Sequence, residues 1–392
     1  MNETVIAAAG RTPFGKHGGA LKSLTAADLG GIVIGDLIAK AGIEPASVDY
    51  AYIGQVLQGG CGQVPSRQAA RKGGLPWETP SITVNKVCSS GIISVALANM
   101  KIRCGDADTI VAGGMESMSN APYYSNAHRW GARMGNSELV DLMIHDGLWC
   151  AFYDRHMAVH GSEVSKEFNI SREAQDEFAC RSQMRAIDAM ENGRLSKEIV
   201  PVEIVSKKGS VLVDRDEAPR ADTNMESLSR LRPVFTKDGT VTAGNAPGVN
   251  DGAAMLLLMS KARAKELGLD ILATIVGHEE VSQEAKYIAT VPGLATNKLL
   301  NAYGLGVDDI ALFEANEAFA AVALISGEIT KWDVNKVNVD GGAIAFGHPI
   351  GASGARILMH LAYALRARGG GYGVACICSG AAQGDAMLIR VE

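Results

Sequence analysis

The chain has 392 residues, of which 47% are hydrophobic and 20% are charged. This length is enough for two or three domain-sized units with large cores. The formal net charge of −6 is too small to indicate a nucleic-acid or acidic-membrane partner, so an anionic ligand would need a local basic pocket. The seven cysteines are an odd number and scattered, which is typical of a reducing compartment. We therefore expect a cytoplasmic protein with no nucleic-acid or membrane partner.

Short apolar runs alternate with longer helical patterns along the chain, which predicts α/β architecture with βα units and parallel sheet. In the first third, the candidate strands are TVIAAAG, YAYIGQVL, SITVNKV and TIVAGG. The predicted helices span residues 25–41, 91–103, 171–192 and 354–367, and Ser171 is the predicted N-cap of the third. In the last third, the candidate strands are ATIVGH, IALFEAN, KVNVDGG and GVACICSG.

The first and last thirds share one order of features: a strand, a turn of small residues, an apolar helix, a glycine link and another strand. This weak self-similarity predicts two similarly folded halves. We assign residues 1–118 to the N-terminal half, completed by about residues 250–270, and residues 271–392 to the C-terminal half. The more polar segment between them, residues 119–249, is predicted to be an inserted domain.

Four stretches place reactive side chains after a predicted strand: NKVCSSG around Cys88, FEANEAFA around Asn316, AFGHPIGASG around His348 and CICSGAAQG around Cys378. Ligands of open α/β sheets bind beyond the carboxyl ends of strands, so this placement points to a site. Cys88 also precedes a predicted helix, whose dipole we expect to lower the pKa of the thiol. From position alone, a small buried residue at a tight turn remains an equally good interpretation of Cys88, and a structural role stays open for His348.

Cys376 and Cys378 are one residue apart, and side chains at i and i+2 of a strand point to the same side. Their spacing is too close for the usual redox pair. No histidine or cysteine pattern has zinc spacing, so we expect no metal site. The phosphate-binding and dinucleotide-binding glycine motifs are also missing in their required frames.

These motifs occur together, and in this order, in the thiolase family, which the chain resembles over essentially its whole length. The shared stretches are RTPFG, GQVPSRQA, NKVCSSG, AGGMESMS, HDGLW, TAGNAPGVNDGAA, NEAFA, GGAIAFGHPIGASGARI and CSGAAQG. The resemblance implies the thiolase fold, with two βαβαβαββ halves in a five-layer αβαβα arrangement and an inserted loop domain. It is strongest to the biosynthetic type, which implies reversible condensation of two acetyl-CoA to acetoacetyl-CoA and CoA.

The resemblance also implies a role for each candidate residue. Cys88 would be the nucleophile that carries the acyl group, and His348 would take its proton. Cys378 would move the proton at the α-carbon, while Cys376 would be a packing residue. Asn316 would position a water that forms one oxyanion hole with His348, and the backbone N–H groups of Cys88 and Gly380 would form the other. No metal or redox cofactor is implied, because the thioester itself acidifies the α-carbon.

Coenzyme A recognition is implied mainly for the middle segment. The matching positions are Leu148, His156, Met157, Arg220, Ser227, Phe235, Ala243, Ala318 and Phe319. Among them, Arg220 and Ser227 match positions around the nucleotide end, and most others match the pantetheine tunnel. Residues 128–136, HRWGARMGN, resemble the loop through which tetrameric thiolases pair their dimers, so a homotetramer is expected.

The chain departs from the biosynthetic pattern at several positions. Ser89 stands where glycine is usual, Pro247 where a serine often binds pantetheine, and Ile288 where methionine is usual. Ala381 and Ala382 replace glycines, and their Cβ atoms are expected to be tolerated only where φ is negative. Acyl-chain length therefore stays open, with a 3-ketoacyl-CoA thiolase for longer chains as an alternative.

Two further alternatives belong to other functional classes. A decarboxylating ketoacyl synthase would need a second catalytic histidine or a similar group in place of Cys378. A non-catalytic acyl-CoA-binding relative would be expected to have lost Cys88, His348 or Cys378, and all three are present.

Overall fold

The computed structural model describes residues 2–207 and 209–392. Its strands are β1 (Thr4–Arg11), β2 (Gly15–Lys16), β3 (Tyr50–Gly54), β4 (Ser81–Val84), β5 (Thr109–Ser117), β6 (Tyr123–Tyr124), β7 (Val140–Asp141), β8 (Trp149–Cys150), β9 (Arg155–His156), β10 (Val202–Ser206), β11 (Gly209–Val213), β12 (Asn250–Ser260), β13 (Ala273–Ser282), β14 (Ile310–Ala315), β15 (Gly371–Ser379) and β16 (Gln383–Val391).

The α-helices are α1 (Ala26–Ala41), α2 (Pro65–Lys72), α3 (Ser90–Arg103), α4 (Leu142–Gly147), α5 (Met157–Glu167), α6 (Arg172–Glu191), α7 (Met225–Ser229), α8 (Lys261–Glu266), α9 (Val291–Tyr303), α10 (Ala320–Thr330), α11 (Ala343–Phe346) and α12 (Ile350–Ala367). Short 3₁₀ turns occupy Pro45–Ser47, Met118–Asn120, Ala127–Trp130, Ala285–Tyr287, Val307–Asp309 and Val334–Lys336. Among the described residues, no helix has both the length and the apolar character of a membrane span.

Two halves of the main sheet have the same strand order. The first half runs β4–β3–β5–β12–β1 and the second runs β14–β15–β16–β13. In each half the inner strand, β5 or β15, has a parallel neighbour on one side and an antiparallel neighbour on the other. The sheet is therefore mixed rather than purely parallel, and strands β12 and β16 were not among the predicted ones.

One predicted strand is much reduced. KVNVDGG keeps only a single parallel bridge, between Val337 and Phe313 of β14, at the place that β4 occupies in the first half. The two halves meet where β1 pairs with β13 in antiparallel register.

The helices form layers on both sides of these strands. α3 and α12 contact each other and lie between the two halves of the sheet, and α12 contacts strands of both. α1 and α2 cover the outer face of the first half, while α9, with α10 beside it, covers the second. The predicted five-layer αβαβα arrangement is confirmed.

The central helix pair is packed through glycines. A Cβ on Gly91 of α3 would lie 2.7 Å from the backbone N of Ala355, and one on Gly354 of α12 would lie 2.6 Å from the backbone N of Ile92. Real Cβ atoms do not approach backbone this closely, so the crossing requires glycine at both positions. It holds the N-terminal ends of α3 and α12, and the turns before them, close together.

Helix boundaries agree with the sequence predictions within a few residues. Ser171 caps α6 by accepting a hydrogen bond from the backbone N–H of Ala174, as predicted. α12 begins at Ile350, four residues before the predicted start, because its early glycines pack against neighbouring backbone instead of ending the helix. Helices α4 to α7 and three small strand pairs lie within residues 119–249, whose boundaries as an inserted domain stay a prediction.

Candidate active site

Three predicted reactive side chains line one apolar cavity of about 300 Å³. Cys88 comes from the turn before α3, His348 from the turn before α12, and Cys378 from the end of β15. All three side chains are buried. Cys88 and Cys378 are 290 positions apart in the chain, yet they line the same cavity.

Cys88 and His348 form a hydrogen-bonded pair with a defined proton arrangement. His348 Nε2 lies 3.3 Å from Cys88 Sγ, and His348 Nδ1 lies 2.6 Å from Ser353 Oγ. The Ser353 hydroxyl donates its only proton to the Pro349 carbonyl, 2.9 Å away. Nδ1 must therefore carry the ring proton and donate it to Ser353, which leaves the Nε2 lone pair facing the thiol.

Burial keeps both members of this pair neutral. It raises the pKa of Cys88 to about 12, which the thiol's own backbone N–H does not offset. Burial, with Arg356 nearby, lowers the pKa of His348 to about 3. The expectation that the α3 dipole lowers the Cys88 pKa is wrong, because the free-energy cost of removing a thiolate from water exceeds the stabilisation that the dipole provides. The resting pair is a thiol and a neutral imidazole.

The turn that presents Cys88 is strained. Val87 has φ 45°, a left-handed conformation that is a genuine outlier for a β-branched residue. Asn85 Oδ1 accepts the Val87 N–H at 3.0 Å, and Ser90 Oγ both accepts the Lys86 N–H at 2.9 Å and donates to the Val87 carbonyl at 2.6 Å. Strain held by several side chains is typical of functional sites and favours the catalytic interpretation of Cys88.

The turn that presents His348 is held from β12. Asn250 Oδ1 accepts the His348 N–H at 2.9 Å, and Asn250 Nδ2 donates to the Gly15 carbonyl at 3.0 Å. Gly347 has φ 103°, and a Cβ there would overlap the Asn250 side chain. Ser353 and Asn250 both lie in stretches singled out in the sequence, but their contacts with the His348 turn were missed, because nothing in those stretches indicates where their side chains point.

The two thiols of β15 have different surroundings. Cys378 lines the cavity and packs in a cluster with Ile288 and Phe319, and burial raises its pKa well above the ordinary value. Cys376 packs in a separate cluster with Ala295 and Leu299 and does not line the cavity. All seven cysteines are free thiols. Among residues 2–207 and 209–392, no group of three or more His, Cys, Asp or Glu could hold a metal.

The loop after Cys378 corrects one expectation. Ala381 and Ala382 have φ 61° and 51°, so both alanines occupy the left-handed region that was expected to exclude them. This conformation costs roughly 1 kcal/mol or more for each non-glycine residue. The loop is held in part by the Gln283 N–H, which donates to the Ala382 carbonyl at 2.9 Å. Gly380 lies against Val87, beside the nucleophile.

Asn316 is buried with an unpartnered amide. Its backbone N–H donates to the Cys376 carbonyl at 2.9 Å, but neither polar atom of its side chain has a hydrogen-bond partner among the described residues. Leaving a buried amide unpaired costs free energy, so such a group in a folded protein calls for a bound water or ligand. Asn316 itself does not line the cavity, although Ala318, two residues later in the chain, does.

Two family models match the chain, the thiolase N-terminal domain over residues 4–262 and the thiolase C-terminal domain over residues 269–391. The chain belongs to the thiolase family. The acetyl-CoA acetyltransferase of Pseudomonas aeruginosa is 47% identical over 390 residues, covering 99% of both chains. That of Thiocystis violacea is 48% identical over 392 residues, covering 100% of both. The crystal structure of the Bacillus anthracis acetyl-CoA acetyltransferase matches with a TM-score of 0.97 at 39% identity, covering 100% of this chain and 99% of that one.

In this thiolase, most positions predicted to bind coenzyme A share the cavity with the reactive residues. Those in the wall are Leu148, His156, Met157, Phe235, Ala243, Ala318 and Phe319. Arg220 and Ser227 lie outside it. Arg220 is exposed and its backbone N–H donates to Gln183, while Ser227 forms a capping box with Asn224 at the start of α7.

One wall of the cavity is an aromatic pair. The rings of His156 and Phe235 stack with centroids 3.7 Å apart and planes 10° apart. Burial lowers the pKa of His156 to about 4, so its ring is neutral near pH 7, and its Nδ1 accepts the Ala158 N–H. The sequence did not point to further apolar lining residues, namely Met118, Met143, Ile144, Val249 and Ile350. A wall of this kind suits an apolar, uncharged ligand segment.

Proposed function

We propose that this thiolase is an acetyl-CoA C-acetyltransferase, which condenses two acetyl-CoA reversibly to acetoacetyl-CoA and CoA through an acetyl-Cys88 intermediate. The observation that carries the proposal is the 3.3 Å contact between Cys88 Sγ and His348 Nε2, in a cavity that also holds Cys378. Full-length relatives with that name support it.

In the first half-reaction, Cys88 Sγ attacks the carbonyl carbon of acetyl-CoA and its proton passes to His348 Nε2. Because both groups start neutral, the proton moves as the sulfur–carbon bond forms. The CoA sulfur leaves with its bonding electrons and takes a proton from Cys378, which becomes a thiolate. The backbone N–H groups of Cys88 and Gly380 would stabilise the oxyanion.

In the second half-reaction, the Cys378 thiolate removes a proton from the α-carbon of another acetyl-CoA. The carbanion attacks the acetyl carbonyl on Cys88, and the Cys88–carbonyl bond breaks to release acetoacetyl-CoA. Cys88 then regains its proton from the His348 imidazolium, so every group returns to its starting state. Asn316, through a water, and His348 would stabilise the enolate oxygen. The thioester acidifies the α-carbon, so these steps need no metal or redox cofactor.

The rest of the proposal concerns substrate binding and assembly. The exposed Arg220 would supply positive charge for the nucleotide end of CoA, near Ser227. Residues 128–136 would pair dimers into a homotetramer, because they expose Trp130 at 84% and Met134 at 98%, which is typical of a surface covered by another subunit. Free thiols throughout the chain support a cytoplasmic location.

The test is to incubate the protein with acetyl-CoA and measure the adduct mass on each cysteine peptide, alongside acetoacetyl-CoA formation. We expect one acetyl group on Cys88, none in Cys88→Ala, and no product from that variant. Cys104→Ala is the matched control, because Cys104 is an exposed thiol outside the cavity, and it should behave like the unmodified chain. An adduct that persists in Cys88→Ala would refute the assignment. Repeating the reaction with longer acyl-CoA thioesters tests the alternative of a longer-chain thiolase.

A further inference from the structure

A buried ion pair joins the Cys88 turn to β16, the antiparallel neighbour of the strand that carries Cys378. Lys86 Nζ lies 3.0 Å from Asp385 Oδ1 in β16, and His278 Nε2 in β13 lies 2.9 Å from the same oxygen. The Asp385 side chain is fully buried and that of Lys86 is 15% exposed. On its solvent side, Lys86 also pairs with the exposed Glu280, at 2.5 Å. The first half of the molecule thus supplies a cation to a buried anion of the second.

The charge state of Asp385 fits this pairing. Burial acts to raise the pKa of Asp385, but the His278 hydrogen bond and the Lys86 charge hold that pKa below its usual value. The carboxylate is therefore ionised near neutral pH and pairs with the Lys86 ammonium, two residues before Cys88.

A second contact reaches the same turn from the other strand. The Ser379 hydroxyl donates a hydrogen bond to the Lys86 carbonyl. In the β15–β16 register, Asp385 lies opposite Ile377 and Gly384 lies opposite Cys378. Lys86 is therefore contacted by Ser379, the neighbour of Cys378 in β15, and by Asp385 in the paired strand β16.

We propose that Asp385 is a positioning residue that, through Lys86, sets the place of Cys88 relative to Cys378. The proposal rests on the proposed function, in which only carbon–carbon bond formation brings a group activated by Cys378 onto acetyl-Cys88. The Cys88–His348 pair is held separately, because Ser353 of α12 and Asn250 of β12 fix the turn that carries His348. The Asp385 contact thus serves the condensation step more than acetyl transfer to Cys88.

The test is Asp385→Asn, which keeps the side-chain shape but removes the charge opposite Lys86. A misplacement of about 1 Å at reacting groups can cost about a hundredfold in rate, so we expect acetoacetyl-CoA synthesis to fall at least about tenfold. Acetyl-adduct formation on Cys88 should stay within about twofold, since the attack uses His348 and a CoA thiolate that leaves away from Cys378 can take its proton from water. A purely structural role would lower both rates together. Glu280→Gln is the control: it removes the exposed partner of the same lysine, where solvent screens the charge, and should change neither rate.

Ser379→Ala provides a second variant that buries no uncompensated charge. It removes the hydrogen bond to the Lys86 carbonyl and should show the same split between the two reactions, with a smaller loss of about threefold in synthesis. Equal losses of adduct and product in both variants, or no loss in either, would overturn the positioning role. Failure of the unmodified enzyme to acetylate Cys88 would instead overturn the proposed function, so the two outcomes are distinct.

Discussion

The two halves of this thiolase have the same strand order but supply different groups to the active site. In each half, a turn of small residues leads into a central helix, α3 or α12. The first turn carries Cys88 and the second carries His348, so a nucleophile and its proton acceptor occupy corresponding places. A shared fold therefore determines where a reactive side chain lies, whereas local contacts determine what it does.

A serine near the start of each central helix shows this difference closely. In α3, the Ser94 hydroxyl donates to the Ser90 carbonyl at 2.8 Å, and in α12 the Ser353 hydroxyl donates to the Pro349 carbonyl at 2.9 Å. The two serines bond to their helices in the same way, but only Ser353 also accepts a hydrogen bond from the catalytic histidine. One serine is thus a helix residue and the other orients a base.

The largest expected effect separates the two thiols of the second half. Cys378→Ser replaces the thiol by a much less acidic hydroxyl, so synthesis and cleavage of acetoacetyl-CoA should slow by about a hundredfold or more. Acetylation of Cys88 should continue, because the CoA thiolate can take its proton from water. Cys376→Ser should keep both reactions and cost roughly 1–2 kcal/mol of stability, since its hydroxyl is buried in an apolar cluster. An inactive Cys376 variant with an active Cys378 variant would contradict the site.

The next test uses pH to compare the reactive groups of the two turns. Burial raises the pKa of Cys88 to about 12 and lowers that of His348 to about 3, so the thiolate fraction should rise tenfold for each pH unit across the neutral range. The rate of Cys88 alkylation by iodoacetamide should therefore increase about a hundredfold between pH 7 and 9 without a plateau. A plateau in that range would indicate a preformed thiolate–imidazolium pair, contrary to the structure.

The Cys88–His348 pair shows what could and could not be predicted from the sequence. Their place after strands made Cys88, His348 and Cys378 candidates, and the resemblance to the thiolase family implied their roles. The repeated order of elements indicated two like halves. The protonation state of Cys88 could not be predicted, since it depends on burial by residues far along the chain. The left-handed conformations of Val87, Ala381 and Ala382 were missed for a related reason, because tertiary contacts override local backbone preference.

A smaller effect is expected for the serine that orients His348. Ser353→Ala removes the acceptor for Nδ1–H, so the ring can turn or change tautomer, and kcat should fall about tenfold with little change in KM. Ser94→Ala is the matched control in α3, because it removes the same bond to the preceding helical turn without touching a reactive group. Its kcat should be unchanged. Equal losses of kcat in both variants would show that Ser353 acts only on helix stability.

The smallest effect concerns the loop directly after β15, which is left-handed at two alanines, whereas the residues directly after β5, Met118–Asn120, form a 3₁₀ turn. Ala381 is only partly buried, so Ala381→Gly should relieve backbone strain and raise the free energy of unfolding by about 1 kcal/mol. Ala382 is fully buried, so Ala382→Gly relieves similar strain but loses a packed methyl, and the two effects nearly cancel. Urea denaturation measures both. A destabilised Ala381→Gly variant would contradict the strain inferred from φ.

The glycine contact between α3 and α12 also limits how the two halves can diverge over generations. The corresponding turn residues need not be alike, as a cysteine in one half and a histidine in the other show. Gly91 and Gly354 cannot grow by even one methyl group without moving the opposite helix. Any descendant that enlarges one of them would separate the nucleophile from its base, and a second change in the other half could not restore the lost space. Inheritance of this site is therefore tied to two residues that take no part in its chemistry.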